Sequence, residues 1–212
     1  MERAVLWVAF STGSLEPLEP IKSMPTILTH TAVPLALGLG LGVRIIPKPL
    51  LLAGVVACIL PDLDVLAFQL HIPYADDFGH RGFTHSIAFA VALGLLAMAY
   101  AQRLRCSRVV AFSFIALSTV SHALLDMITN GGLGVALWWP WSSERLFAAW
   151  QVIEVSPLSL RHILSARGWA VLQSELLWVW LPALLVASAL LAFRLWVSRL
   201  AVKRVATQDR NR

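Results

Sequence analysis

Apolar residues in this chain fall into long runs separated by short polar clusters. Five runs, at 26–43, 49–70, 84–102, 109–129 and 175–198, each approach the ~20 residues needed to cross a bilayer as a helix. The pattern predicts an all-α, polytopic membrane protein of about five transmembrane helices. The first run is marginal in length and contains His30 and Pro34. Pro61 biases Leu60 away from helix and predicts a break in the second run. Between the fourth and fifth runs, residues 130–174 carry Gly131, Gly132 and Gly134 and then Trp138, Trp139 and Trp141. Tryptophan at this density suits the headgroup region, so this stretch is expected to be a long interfacial segment.

Composition agrees with lipid as the solvent: 58% of residues are hydrophobic, 14% are charged, and mean hydropathy is +0.73. These values exclude a soluble or disordered chain. The net charge of +5 does not mark a nucleic-acid groove, because the basic residues sit in short clusters between the apolar runs. Eleven of them, Arg44, Lys48, Arg103, Arg105, Arg108, Arg194, Arg199, Lys203, Arg204, Arg210 and Arg212, share one side of a five-span topology. Arg81, Arg145, Arg161 and Arg167, with Arg3 and Lys22, fall on the other. The bias puts the tail in the cytoplasm, and the N-terminus, the 71–83 loop and the 130–174 stretch outside. Three units are expected: an N-terminal extension or misassigned start at 1–23, a membrane-embedded domain at 24–198, and a basic cytoplasmic tail at 199–212. The 1–23 segment lacks the basic start, long apolar region and cleavage site of a signal peptide. Cys58 and Cys106 have no metal-type spacing and are expected to form neither a disulfide nor a thiolate site.

Alternating spans bring the polar residues of the apolar runs to one face. His30 lies near the start of the first span, Asp62 and Asp64 in the outer part of the second, His80 and His85 around the start of the third, and His122 and Asp126 near the end of the fourth. Ionisable groups inside a membrane are costly and are usually paired or functional. An extended break at Pro61 would let Asp62 and Asp64 share a side, although the same two residues could simply sit at the N-terminus of the next half-helix. His122 and Asp126, four apart, occupy one helix face. That spacing serves two metal ligands, a ligand with its orienting carboxylate, or an ordinary buried pair. Thr84 is a candidate N-cap that would place His85 in the first turn of the third span, with His80 in the preceding loop. The alternative is a wet loop with two solvated histidines. His71 and His162 lack an evident partner and are read as solvated or interfacial.

Histidine and aspartate without sulfur form a donor set that fits zinc or manganese, as one ion or two. The candidate metal ligands are therefore His30, Asp62, Asp64, His80, His85, His122 and Asp126. His80, Asp64 and Glu175 are candidate catalytic groups, while Arg81 and Arg145 offer planar forks for an anionic substrate. Without a serine or cysteine motif for acyl transfer, metal-activated water is the simplest available chemistry.

Several spaced motifs together resemble a known family. They are Thr29-His30 after Met24-Pro25, Leu60-Pro-Asp-Leu-Asp64, His80-Arg-Gly-Phe-Thr-His-Ser86, Ser121-His-Ala-Leu-Leu-Asp126, Thr129-Asn-Gly-Gly132, and the Trp139-Pro-Trp-Ser142 stretch. From Met24 to about Trp180 the chain resembles the LexA-regulated, inner-membrane-associated metal-dependent hydrolases of bacteria. The resemblance implies a multi-pass protein of the bacterial inner membrane with a hydrolase-like metal site. LexA concerns expression, and no DNA-binding role follows. The leading expectation is a metal-dependent hydrolase acting at the outer face on a small-molecule or lipid phosphoester, with membrane lipid as its surroundings and no nucleic-acid partner. The alternative is a non-catalytic protein that binds or transports a metal ion or protons.

Overall fold

The computed structural model describes residues 27–155 and 165–210. The described residues form helices and irregular segments, with two isolated β-bridges and no β-strand among them. Helix α1 (Ile27–His30) continues after Thr31 as α2 (Ala32–Leu41). Helix α3 (Lys48–Ile59) leads through a 3-10 turn, Leu60–Val65, into the short α4 (Leu66–Gln69). A second 3-10 turn, Phe83–His85, precedes α5 (Ile87–Ala99), and α6 (Arg108–Met127) follows. The last helical rod is α7 (Ala166–Glu175), a π-helical segment Leu176–Trp180, and α8 (Leu181–Arg210).

Among the described residues, three helical stretches are long and apolar enough to cross a membrane: Lys48–Gln69, Arg108–Met127 and Ala166–Ala201. Leu28–Leu41 and Ile87–Ala99 are apolar but shorter. The protein is thus a helical membrane protein, and its described residues hold five apolar helical stretches of unequal length. The expected 84–102 span is shorter at both ends, ending at Ala99 and starting late because Ser86, not Thr84, is the N-cap: its hydroxyl accepts from the Phe89 N–H. Thr84 is occupied elsewhere, donating to Asp64. The break at Pro61 is a 3-10 turn rather than an extended segment. The fifth run reaches further than expected in both directions. Ser165 caps α7 by accepting from Gly168 N–H, so 166–174 is helical rather than part of the irregular interfacial stretch. Helix α8 also carries the backbone through the basic tail as far as Arg210. The 1–23 extension, Met24, Arg161 and His162 lie outside the described residues.

Helix α6 organises the bundle. Its buried positions, Ala111, Phe114, Ile115, Ser118, Thr119, His122, Ala123 and Asp126, form one stripe at i, i+3, i+4 spacing. The first half of the stripe is apolar and packs with Leu50 and Ala57 of α3 and Ala97 of α5. Small residues permit that approach: a side chain at Gly54 would strike the Phe114 ring, and one at Gly94 would meet Phe112. The second half of the stripe is polar and faces the functional end. There the 130–155 segment folds back over the bundle, tied by bridges pairing Thr129 with Ile153 and Val135 with Leu146. Trp138, Trp141 and Trp150 point outward from it, while Trp139 packs on Phe78 and Phe83.

Candidate metal centre

Four side chains from three segments converge at the polar end of the α6 stripe. One ligand atom from each of Asp62, His85, His122 and Asp126 lies within 4.8 Å of the others, and all four residues are buried. His122 Nε2 stands 3.3 Å from Asp62 Oδ1, 3.1 Å from His85 Nε2 and 3.7 Å from Asp126 Oδ2. His85 Nε2 is 3.1 Å from Asp126 Oδ2. The backbone explains how this set assembles. A 3-10 turn has three residues per turn, so Asp62 and Asp64 diverge by about 120°. Asp62 therefore addresses α6, and Asp64 addresses the loop before α5.

The far nitrogens of both histidines define their tautomers. His122 Nδ1 lies 2.7 Å from the Cys58 carbonyl oxygen, which can only accept, so Nδ1 carries the proton and Nε2 presents its lone pair to the cluster. His85 Nδ1 lies 3.2 Å from Asp64 Oδ2, which makes a carboxylate–imidazole pair whose Nε2 also faces inward. Two nitrogen lone pairs and two carboxylate oxygens thus crowd one buried volume. A divalent cation satisfies such a donor set, and a nitrogen-and-oxygen set without sulfur suits zinc or manganese. Other buried atoms at this end also lack hydrogen-bond partners among the described residues: both ring nitrogens of His30, Asp62 Oδ2 and His80 Nε2. The site can therefore hold a metal ion.

A second layer surrounds the four. Asp64 pairs with His80 Nδ1 and accepts from the Arg81 backbone N–H at 2.9 Å and from the Thr84 hydroxyl at 2.9 Å. Arg81 is wholly buried; its Nε lies 3.1 Å from Asp126 Oδ2, its Nη2 donates to Asp126 Oδ1, and its Nη1 donates to the Gly131 carbonyl. Gly132, at φ +85°, lies against both the Arg81 guanidinium and the Tyr74 hydroxyl, where a side chain would collide. Burial pushes the Tyr74 phenol above its ordinary value, so the ring stays neutral. Arg145 donates to the carbonyls of His80, Tyr74 and Asp76, fastening the 71–83 loop over the centre.

The model of a family described as YdjM inner membrane protein matches residues 24–200. The chain belongs to the YdjM inner membrane protein family. It is 49% identical over 168 residues to the inner membrane protein YbcI of Escherichia coli (strain K12), a match covering 79% of this chain and 97% of that protein. No solved structure matches the chain. Like its family, this protein is a multi-pass protein of the bacterial inner membrane. The names of these relatives state a location and carry neither LexA regulation nor hydrolysis.

The YdjM-family chain brings together most of the residues expected from sequence, in different layers. Asp62, His85, His122 and Asp126 form the inner set. Asp64 and His80 stand behind His85, and His30 stacks on the His122 ring at 3.7 Å between centroids, with its Nε2 3.8 Å from Asp126 Oδ1. Arg81 and Arg145 were expected to hold out free forks to a substrate. Instead Arg81 is spent on Asp126, because a buried guanidinium needs a buried anion, and Arg145 is spent on backbone carbonyls. Glu175 is buried at the end of α7, and His71 is exposed with φ +59°. Sequence reading missed Thr84 as a donor to Asp64, the Cys58 carbonyl as the anchor of His122, and Tyr74. For Cys58 no side-chain pattern could have shown it, since the backbone oxygen does the work.

Proposed function

We propose that this protein is a membrane-bound metal-dependent hydrolase that cleaves a phosphoester, small or lipid-derived, at the outer face of the inner membrane. The observation that carries the reading is the inward-facing set of two imidazole nitrogens and two carboxylate oxygens. In this reading Asp62, His85, His122 and Asp126 would hold the metal, a zinc or manganese ion, with His30, stacked on His122, as a further donor beside them. A bound metal ion of this type lowers the pKa of coordinated water toward neutrality. Asp64 orients His85 and His80 at once. In this reading His80, its Nδ1 held by Asp64, accepts or delivers the proton through Nε2. Arg81 and Arg145 act as positioning residues, the first by neutralising Asp126 and the second by fixing the 71–83 loop. Outer-face placement rests on the basic-residue bias of the loops and tail; cysteine labelling that put Arg212 outside the cell would reverse it.

A second reading, non-catalytic binding of a metal ion or protons, is favoured by the depth of the centre, where each of the four inner residues is at most 5% exposed. Elemental analysis of purified full-length protein, beside hydrolysis of a broad phosphoester panel, separates the two. The hydrolase reading expects stoichiometric metal in wild type and joint loss of metal and turnover in His85→Ala and Asp62→Ala. Metal without hydrolysis selects the ion-binding reading, and equal metal in all three proteins overturns the ligand assignment.

A further inference from the structure

At the opposite end of the bundle from the His/Asp centre, the C-terminal end of α2 and the α8 helix enclose a groove of about 430 Å³. Arg44 and Arg194 both line it, and among the described residues neither forms an ion pair or hydrogen bond. Gly42 shapes it. At φ +79° this glycine turns the chain out of α2, and any side chain there would collide with the Arg194 guanidinium that lies across it. Apart from Ser198 the rest of the wall is apolar, and Leu39, Val43 and Leu195 are 64%, 67% and 47% exposed. Two guanidiniums without a counter-charge among the described residues thus sit at the edge of an outward-facing apolar surface.

We propose that this groove binds an anionic phospholipid, its phosphate held by Arg44 and Arg194 and its acyl chains lying along Leu39, Val43 and Leu195. Charge complementarity selects the headgroup, because paired arginines offer a phosphate several charge-assisted hydrogen bonds. The exposed leucines and valine select a lipid over free phosphate, since an inorganic ion would leave that apolar wall uncovered. Basic pockets between membrane helices recognise lipid headgroups by this combination. The site is independent of the metal centre and stands or falls separately from the hydrolase reading.

The test is native mass spectrometry of delipidated full-length protein titrated with phosphatidylglycerol or with phosphatidylethanolamine. Wild type is expected to retain phosphatidylglycerol in preference. With about 1 kcal/mol per basic residue, Arg44→Ala should weaken retention about five-fold and Arg44→Ala/Arg194→Ala about thirty-fold. The charge-matched pair Arg103→Ala/Arg108→Ala, at the same basic end but outside the groove, should stay within about two-fold of wild type. Arg44 lies in an exposed turn, so its single variant keeps the test decisive if the double variant does not fold. Equal retention of the two lipids, equal losses in the groove and control pairs, or displacement of phosphatidylglycerol by millimolar inorganic phosphate would each overturn the proposal.

Discussion

Helices α6 and α8 are both long enough to span a membrane, yet they solve opposite problems. In α6, 44% of the most apolar window is buried inside the protein; in the Ala166–Ala201 rod the figure is 6%. The rod is nevertheless the more apolar of the two. In water the order would be reversed, with the more hydrophobic helix inside. In lipid, apolar side chains are already satisfied outside, so burial is optional for them and required of groups that cannot face hydrocarbon. Ser118, Thr119, His122 and Asp126 all lie on the buried stripe of α6, whereas α8 turns leucines such as Leu184 and Leu185 outward. Between these two helices, interior position follows the polar residues and not the hydrophobicity of the whole helix.

The strongest way to break this contrast is to remove the anion at the centre of the α6 stripe. Asp126→Ala leaves Arg81 buried without a counter-charge and should destabilise the protein by about 3–5 kcal/mol. Thermal unfolding in detergent would show it, and an unshifted transition would mean that the Arg81–Asp126 pair does not hold the site. The converse experiment puts a charge where α8 faces lipid. Leu184→Asp should raise the insertion cost by about 2.5–3.5 kcal/mol, whereas the native Asp126 is accommodated in α6 by its partners; a membrane-integration assay that scored Leu184→Asp as wild type would show that α8 is covered by protein.

Smaller effects sharpen the comparison within the site. Asp64→Asn keeps the shape of the residue behind His85 and His80 but removes its charge, and should weaken metal affinity about 10- to 100-fold while leaving the fold intact. Competition with a metal chelator measures this, and an unchanged affinity would remove Asp64 from its orienting role. The smallest effect belongs to the lipid-facing surface: Leu185→Ala should move stability by no more than about 0.5 kcal/mol. A loss above 2 kcal/mol, of the size expected of a core leucine, would reveal a protein partner on that face.

Much of this protein was written in local pattern. Apolar run length determined an all-helical membrane architecture, because a backbone in hydrocarbon must satisfy its own hydrogen bonds. The four-residue spacing of His122 and Asp126 put them on one face, since helical geometry is fixed by covalent structure. Pro61 announced the break that frees Asp62 and Asp64. Tertiary structure decided what those groups meet. Whether Thr84 or Ser86 caps α5 depended on Asp64 claiming the Thr84 hydroxyl from another segment. Arg81 looked like a free fork in sequence and became a buried counter-ion only when Asp126, 45 residues away, came within 3.1 Å. The inner and outer layers of the centre were equally unreadable, because His30, Asp64 and His80 carry the same donor atoms as the inner four. Only the convergence of separate segments distinguishes a group that faces the metal position from one that orients its neighbour.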